Sequence, residues 1–410
     1  MITESISNQI VEAEKKLSGY FAKLDNIRDY NQQKVLNAFI ENHIGEEHFS
    51  YVSGYGHDDL GREALDELFA HIFKAESAIV RPHFVSGTHA LSCVLYGLLR
   101  PGETMISIAG PPYDTLEEII GTRGNKRDSL AGFGINYKEI DLIDGQYVDK
   151  KALEKEINSN SHLAFIQRSR GYNWRKSLNI EEIEEIIQII KRKNPECICF
   201  VDNCYGEFTE IREPCEAGAD IIAGSLIKNP GGGIAETGGY IAGKEHLVIS
   251  AASRLTAPGI NKKGGSMLNQ NRLIFQGIFM APSIVCDALK GSTLASQVFT
   301  DLGYETTPAP HDKRTDIIQA IKLKDRGKLI SFCKTIQSLS PISSYVTPIP
   351  YKVPGYDSEI IMAAGTFIEG STIELSADGP LRDPFIAYLQ GGLNYSHVKI
   401  ALNEVLKNLP

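Results

Sequence analysis

The sequence lacks an excess of positive charge, a long apolar run and a leader-like N-terminus. Its 42 lysines and arginines are outnumbered by 51 acidic residues, so the formal net charge is −9 and there is no basic footprint for nucleic acid. No uninterrupted apolar run approaches the ~20 residues of a membrane span. The first residues lack the basic and apolar regions of a signal peptide. We therefore expect a cytoplasmic protein with neither a nucleic-acid nor a membrane partner.

The sequence also lacks a recognisable cysteine motif. Its seven cysteines show neither the Cys-x-x-Cys spacing of a redox pair nor, with histidine, the spacing of zinc ligands. Cys197 and Cys199 alternate along an apparent strand, which places both on the same side of it. We interpret the cysteines as buried reduced thiols, which are typical of a cytoplasmic protein, and we expect no metal site.

The length and the residue pattern indicate how the chain is organised. A chain of 410 residues is too long for one ordinary hydrophobic core and favours two domains. Helical periodicity predicts an N-terminal arm over residues 1–60, which could pack on its own domain or on a partner subunit. Alternating strands and helices over residues 61–275 predict a large α/β domain with a mainly parallel sheet. Short strands, as at Glu369 to Leu375, predict a smaller α+β domain over residues 276–410.

Two polar residues come at or just after the ends of apolar runs that are typical of buried strands. Asp202 ends one run, and Lys228 follows another and precedes the glycine cluster at 231–233. Pyridoxal phosphate chemistry needs a lysine for the Schiff base and an acid facing the pyridinium nitrogen. Alone, either residue could be ordinary, as a solvated lysine or a helix-capping aspartate. Together they predict a cofactor site in which desolvation and a neighbouring cation lower the pKa of Lys228.

Further polar and aromatic residues could complete such a site. Gly87 lets the backbone approach a ligand closely. Ser86, Gly87 and Thr88 open an apolar helix, whose N-terminus offers free N–H groups to a phosphate. Ser86 could instead be an ordinary helix cap. The Ser225 hydroxyl could also reach the phosphate. Tyr113 could stack on a flat cofactor, or it could simply pack within its loop.

In this order, these residues resemble the fold-type I pyridoxal phosphate enzymes, and the γ-family of cystathionine and methionine lyases matches best. Longer runs are similar to one branch, the methionine γ-lyase-like proteins often named for aluminium resistance. These runs are residues 55–62 (Tyr-Gly-His-Asp-Asp-Leu-Gly-Arg), 81–89 (Arg-Pro-His-Phe-Val-Ser-Gly-Thr-His) and 224–233 (Gly-Ser-Leu-Ile-Lys-Asn-Pro-Gly-Gly-Gly). The resemblance covers nearly the whole chain. It implies an α/β fold of this type, with a mainly parallel seven-stranded sheet flanked by helices and a smaller C-terminal domain.

The resemblance also implies roles for individual residues. The lyases are dimers or tetramers whose active sites lie at a subunit interface, where Tyr55, or alternatively Tyr51, would reach the phosphate of the neighbouring subunit. Gln167 stands where the lyases place an amide on the 3-hydroxyl side of the cofactor. Arg382 matches the arginine that binds the substrate carboxylate, although it could be a surface arginine. Ile227 replaces a threonine of the lyases, which leaves one of their phosphate hydrogen bonds in doubt.

We predict a pyridoxal phosphate-dependent C–S lyase that acts on an amino acid of the cystathionine or methionine type, by β- or γ-elimination. Lys228 would take the α-proton, Asp202 would keep the ring nitrogen protonated, and Tyr113 would exchange a proton with the leaving group. The alternatives are an aminotransferase on the same fold and a cofactor-binding stress or regulatory protein without turnover. A nicotinamide oxidoreductase would need a G-x-G-x-x-G between a strand and a helix, which the sequence lacks.

Overall fold

The computed structural model of the chain describes residues 7–352 and 358–409. The α-helices are α1 (Asn8–Glu41), α2 (Leu60–Phe73), α3 (Gly87–Leu98), α4 (Asp114–Ile120), α5 (Lys150–Glu156), α6 (Ile180–Lys193), α7 (Glu245–Leu255), α8 (Asn271–Asp301), α9 (Arg326–Ser338) and α10 (Tyr395–Asn408). The strands are β1 (Ser77–Arg81), β2 (Thr104–Ser107), β3 (Asn136–Glu139), β4 (Leu142–Ile143), β5 (Tyr147–Val148), β6 (Ser161–Gln167), β7 (Ile198–Asp202), β8 (Ile221–Ser225), β9 (Gly239–Gly243), β10 (Glu305–Thr307), β11 (Ile318–Lys322), β12 (Ile360–Ala363), β13 (Ser376–Pro380) and β14 (Ile386–Gln390).

A seven-stranded sheet forms the centre of the larger part of the molecule. Its strand order is β1-β9-β8-β7-β6-β2-β3. The four pairings from β8 to β3 are parallel, whereas β9 pairs antiparallel with both β8 and β1. This arrangement confirms the predicted fold class, an α/β fold with a mainly parallel sheet of seven strands.

The central strands are apolar on both faces because helices cover both faces of the sheet. Phe165 and Phe200 pack on the face covered by α3 and α7, with their ring centroids 5.5 Å apart. Ile166 and Val201 point to the opposite face, towards α2, α6 and α8. Burial of each Phe side chain stabilises the fold by about 1.5–3 kcal/mol. Polar residues are therefore confined to the strand ends, where the sheet leaves the apolar core.

Two long helices connect this core to a second one. In α1, Leu17 packs in the second core and Val35 in the first, so the N-terminal arm packs on its own chain. In α8, Ile278 belongs to the first core and Leu294 to the second. The predicted domain boundary at residue 275 thus falls inside a continuous helix. By length and composition α8 could also cross a membrane, but more than half of its apolar stretch is buried in the molecule, as in the core helix of a globular protein.

The second core lies against a five-stranded antiparallel sheet of order β10-β11-β14-β13-β12. The prediction of a strand at Glu369 to Leu375 is wrong, because these residues form a loop and the strand begins at Ser376. The Glu374 carboxylate accepts hydrogen bonds from the backbone N–H groups of Phe367 (2.8 Å) and Ile368 (3.0 Å). A side chain thus satisfies backbone groups that a strand would pair with its neighbour.

Candidate active site

A cavity of about 470 Å³ lies at the carboxyl ends of the parallel strands, where the two sheets face each other. Gln167, Asp202 and Ser225 end β6, β7 and β8, and all three line it. Because parallel strands in register end at the same edge, Gln167 and Asp202 are direct neighbours. Most of the residues predicted for the site line this cavity, namely Ser86, Gly87, Thr88, Tyr113, Gln167, Asp202, Ser225, Lys228 and Arg382.

Lys228 follows β8 and projects its amine into the cavity wall. Its Nζ atom lies 4.0 Å from the centroid of the Tyr205 ring. Burial lowers the pKa of Lys228, but the acidic groups of Cys204, Tyr205 and Asp202 outweigh burial, so the pKa lies above that of an ordinary lysine. The expectation of a lowered pKa is therefore wrong for the chain itself. The charged group that faces the amine is the Asp202 carboxylate rather than a cation.

Asp202 is a buried acid with an anchored carboxylate. Its Oδ1 atom accepts a hydrogen bond from the backbone N–H of Cys204 at 3.1 Å. Burial raises the pKa of Asp202, while the positive charge of Lys228 opposes that shift. A carboxyl group of this kind gains from a cationic partner, because an opposite charge nearby favours the ionised form. A protonated ring nitrogen is such a partner.

Tyr113 is fixed at the cavity wall by two hydrogen bonds. Its hydroxyl shares a hydrogen bond with Thr88 Oγ1 at 3.0 Å, and its backbone N–H donates to Gln167 Oε1 at 3.1 Å. The Gln167 amide in turn donates to the carbonyl of Ser169 at 3.0 Å. Burial and the nearby Asp202 charge raise the pKa of Tyr113, so its hydroxyl keeps its proton at neutral pH.

The N-terminus of α3 and the end of β8 form the part of the cavity best suited to a phosphate. Ser86 is indeed a helix cap, since its Oγ accepts a hydrogen bond from the His89 N–H at 3.1 Å. The Ser225 Oγ is buried and has no hydrogen-bond partner within the described ranges. A Cβ atom at Gly87 would lie 3.1 Å from the Ser225 Cβ, so glycine allows this close approach. A phosphate here would satisfy Ser225 and meet the positive end of the helix dipole.

Sequence reasoning missed several residues of the cavity. Tyr205 lies under the lysine and has a left-handed backbone, with φ of 70°. From the second sheet, Asp378, Tyr388 and Gln390 line the opposite wall. Gln390 ends an otherwise apolar strand, and that was the signal available in the sequence, whereas the strand that contains Asp378 has no apolar pattern. Arg382 lies beside them at the mouth, exposed to solvent.

Other candidate residues lie elsewhere. Tyr55 is 81% exposed, contacts the His57 ring and is not among the residues that line the cavity. Arg168 is buried and donates to Asn203 Oδ1 at 2.7 Å and to Glu210 Oε1 at 3.0 Å. Its guanidinium therefore supports the loop that follows β7 and does not face a ligand.

The fold and the site together define a fold-type I pyridoxal phosphate protein. A pyridoxal-5'-phosphate dependent protein of Escherichia coli shares the fold, with a TM-score of 0.62 at 16% identity over 94% of this chain and 97% of that one. The family model for methionine gamma-lyase matches residues 6–410. The chain belongs to the methionine gamma-lyase family, which confirms the resemblance inferred from the sequence and implies pyridoxal 5'-phosphate as the cofactor.

Several relatives match almost end to end. An uncharacterised protein of Bacillus subtilis (strain 168), YnbB, is 46% identical over 407 residues, 99% of this chain and 97% of its own. A crystal structure from Listeria innocua, provisionally named a cystathionine beta-lyase involved in aluminum resistance, is 46% identical, with a TM-score of 0.97 and complete coverage of both chains. A structure from Clostridium novyi NT, named a carbon-sulfur lyase involved in aluminum resistance, is 49% identical, with a TM-score of 0.94 over 99% and 97% of the two chains.

Proposed function

We propose that this chain is a pyridoxal phosphate-dependent carbon–sulfur lyase that acts on a sulfur-containing amino acid by β- or γ-elimination. One observation carries the proposal: Lys228, Asp202, Tyr113 and Ser225 converge on a single cavity at the carboxyl ends of parallel strands. The names of the Listeria innocua and Clostridium novyi NT relatives support the choice of reaction.

The residues present fit the cofactor. Lys228 would hold its aldehyde carbon, Asp202 its ring nitrogen and Tyr113 the face of its ring. Ser225, whose hydroxyl has no partner within the described ranges, would bind the phosphate together with the residues at the start of α3. Gln167 would lie on the 3-hydroxyl side. When bound, pyridoxal phosphate supplies an electron sink for the negative charge that develops at the substrate α-carbon.

The chain's own residues would then move the protons. The amine of Lys228 would act as the general base that takes the proton from the substrate α-carbon. Because burial keeps the Tyr113 hydroxyl protonated, that group can donate to the departing sulfur. Asp202 would stay ionised against a cationic ring nitrogen and would favour the protonated form of that nitrogen.

The substrate carboxylate would be bound by Arg382. It lies at the cavity mouth, and no ion pair ties its guanidinium to an acid within residues 7–352 and 358–409. A guanidinium can make two charge-assisted hydrogen bonds to one carboxylate. We further propose a homodimer or homotetramer, in which the exposed Tyr55 serves a neighbouring subunit. A cytoplasmic location is also proposed, in keeping with seven free cysteines, six of them buried.

A spectrum and a substrate panel test the function. The purified protein should absorb in the visible range as a pyridoxal phosphate protein, and it should release both a thiol and a keto acid from a cystathionine- or methionine-type amino acid. Keto acid formed without thiol, and only when a second keto acid accepts the amine, would identify an aminotransferase instead. A bound cofactor without turnover of any amino acid would favour a stress or regulatory role.

A further inference from the structure

The second sheet presents a polar face to the cavity that the roles above do not use. β13 and β14 pair antiparallel, with Asp378 opposite Tyr388 and Ser376 opposite Gln390. Side chains two residues apart on a strand share a face. Asp378, Tyr388 and Gln390 therefore point the same way, and all three line the cavity.

Three buried oxygen atoms on this face, Asp378 Oδ1, Gln390 Oε1 and Ser376 Oγ, have no hydrogen-bond partner among the described residues, and the first two belong to residues that line the cavity. Gln390 Nε2 donates to Asp378 Oδ2 at 3.0 Å. Asp378 Oδ1 and Gln390 Oε1 are buried and accept no hydrogen bond from any described residue. Both side chains are well enclosed, with exposed fractions of 7% for Asp378 and 5% for Gln390. Because buried acceptors without donors are costly, two of them facing one cavity indicate a ligand that donates hydrogen bonds.

The charges around Asp378 favour a cationic donor. Burial raises the pKa of Asp378 to about 7, and hydrogen bonds from the Tyr172 and Gln390 side chains oppose that shift. Tyr388 on β14 and Cys333 on α9 have raised pKa values themselves and stay neutral near pH 7. The Arg382 guanidinium, a cation beside this face at the cavity mouth, is assigned by the proposed function to the substrate α-carboxylate. A cation against the carboxyl would stabilise its ionised form.

We propose that Asp378 and Gln390 form a subsite for an ammonium group on the substrate side chain, so that the protein prefers amino-acid thioethers that carry a primary amine beyond the sulfur. This inference rests on the proposed function, which assigns the α-amino group to the cofactor and the α-carboxylate to Arg382. The donor that the two oxygens need must then come from the far end of the substrate.

Two matched substrates test the subsite. S-(2-aminoethyl)-L-cysteine and S-propyl-L-cysteine have side chains of the same length and differ only in ending with an ammonium or a methyl group. Elimination breaks the Cβ–S bond and releases the thiol, and water then converts the remaining fragment to pyruvate and ammonia. The homocysteine analogues of both compounds cover γ-elimination, which gives 2-oxobutyrate. The measurement is kcat/KM for thiol release from each compound.

We expect the wild-type protein to prefer the aminoethyl compound by about tenfold or more at pH 8. Asp378→Asn keeps the shape but removes the charge, so the preference should disappear. Asp220→Asn is the matched control, because it makes the same change at a buried carboxyl group that lies outside the cavity. That variant should keep the preference.

The wild-type protein also provides a test without any variant. Between pH 8 and pH 6 the preference should fall roughly tenfold, because protonation of a carboxyl group with a pKa near 7 removes the charge that binds the ammonium. The two substrates share their α-amino and carboxylate groups, so titration of those groups cancels in the ratio.

The outcomes separate this inference from the proposed function. Equal kcat/KM for the two compounds in the wild-type protein would overturn the subsite and leave the lyase intact. If neither compound releases a thiol, the lyase proposal fails for these thioethers. Calorimetric titration of the cofactor-loaded Lys228→Ala protein then decides the subsite, since tighter binding of the aminoethyl compound supports it and equal binding overturns it.

Discussion

The amine of Lys228 lies 4.0 Å from the centroid of the Tyr205 ring. Tyr205, in the loop after β7, therefore supports Lys228, in the loop after β8. Tyr205 follows Asp202 by three positions, and Lys228 follows Ser225 by three. Since β7 and β8 are parallel neighbours, this contact places the amine near the acid. A cation over an aromatic face is stabilised by about 0.5–2 kcal/mol, which restrains a side chain that would otherwise be mobile.

Lys228 is expected to bind the cofactor covalently. Lys228→Ala should still bind the cofactor loosely but lose the covalent bond and all turnover. Borohydride reduction of the wild-type protein followed by peptide mapping should label Lys228. Lys244→Ala is the control, because Lys244 is half-exposed and pairs with Asp220 at 2.8 Å. A label on Lys244 or Lys262 would refute the assignment.

Asp202 is expected to act on the ring nitrogen. Asp202→Asn keeps the shape but removes the charge that favours a protonated ring. The rate at which the substrate α-proton exchanges with solvent, measured by NMR, should fall by several powers of ten, while cofactor affinity falls less. Each power of ten corresponds to about 1.4 kcal/mol in the activation free energy. Asp220→Asn is the matched control, since Asp220 accepts a hydrogen bond from the backbone N–H of Cys199 at 2.7 Å outside the cavity. Asp220→Asn should lower the free energy of unfolding without slowing the exchange. A wild-type exchange rate in Asp202→Asn would show that Asp202 does not act on the ring nitrogen.

Gly87 is expected to be needed because a larger residue would crowd the contact between α3 and β8. An alanine Cβ there would lie 3.1 Å from the Ser225 Cβ and 3.3 Å from the Cys204 Sγ, so these neighbours would have to shift by a few tenths of an ångström. Gly87→Ala should weaken cofactor binding by about tenfold or more, measured by equilibrium titration, because the phosphate loses its fit to both elements.

Gly19→Ala is the control for that change. Gly19 lies within α1, and a Cβ atom there would meet nothing within 4 Å. It should leave cofactor binding unchanged and stabilise the fold by about 0.5–1 kcal/mol, measured by denaturant unfolding. Unchanged cofactor affinity in Gly87→Ala would show that the close approach of α3 to β8 is not needed.

The parallel-sheet half of the site was predictable from the sequence because its residues are marked locally. Gln167, Asp202 and Ser225 are polar residues that end apolar strands, and the carboxyl ends of parallel strands meet at one edge. The shared edge therefore predicts that these residues, although far apart in the chain, lie close together, even when their contacts are unknown. The helix after Ser86 joins them for the same reason, since it follows a strand of the same sheet.

The other half depends on tertiary pairing and could not be predicted. Asp378 and Gln390 share a wall only because β13 pairs with β14 in one particular register. The strand predicted at Glu369 to Leu375 was placed too early: Glu374 accepts hydrogen bonds from the backbone N–H groups of Phe367 and Ile368 within a loop, and the strand begins at Ser376. The pKa of Lys228 was predicted in the wrong direction, since its sign depends on which charges meet the amine in space.

Tyr55 is predicted to reach the phosphate of a neighbouring subunit. It is largely exposed and is not among the residues that line the cavity of its own chain. Tyr55→Phe and Lys228→Ala homo-oligomers should each be impaired, whereas mixing them should restore activity, because some sites then combine both native residues. Subunit exchange is checked by native mass spectrometry. No recovery after confirmed exchange would show that Tyr55 does not serve a neighbouring subunit.

Arg382 is predicted to bind the substrate α-carboxylate. A hydrogen bond to a charged group contributes about 1.5–3 kcal/mol. Arg382→Ala should therefore raise, by at least tenfold, the amino-acid concentration that half-saturates the change in the visible spectrum on amino-acid binding. Arg382→Lys should remain impaired, because it keeps the charge but not the two-pronged geometry. Both variants should keep the wild-type spectrum in the absence of substrate, since the cofactor contacts lie elsewhere. If Arg382→Ala is saturated at the same amino-acid concentration as the wild-type protein, another arginine binds the carboxylate.

Two other arginines are the alternatives. Arg254 lines a different cavity. Arg170 is buried and has an Nη2 atom without a partner in the described part of the chain, so Arg170→Lys would be the next variant to measure.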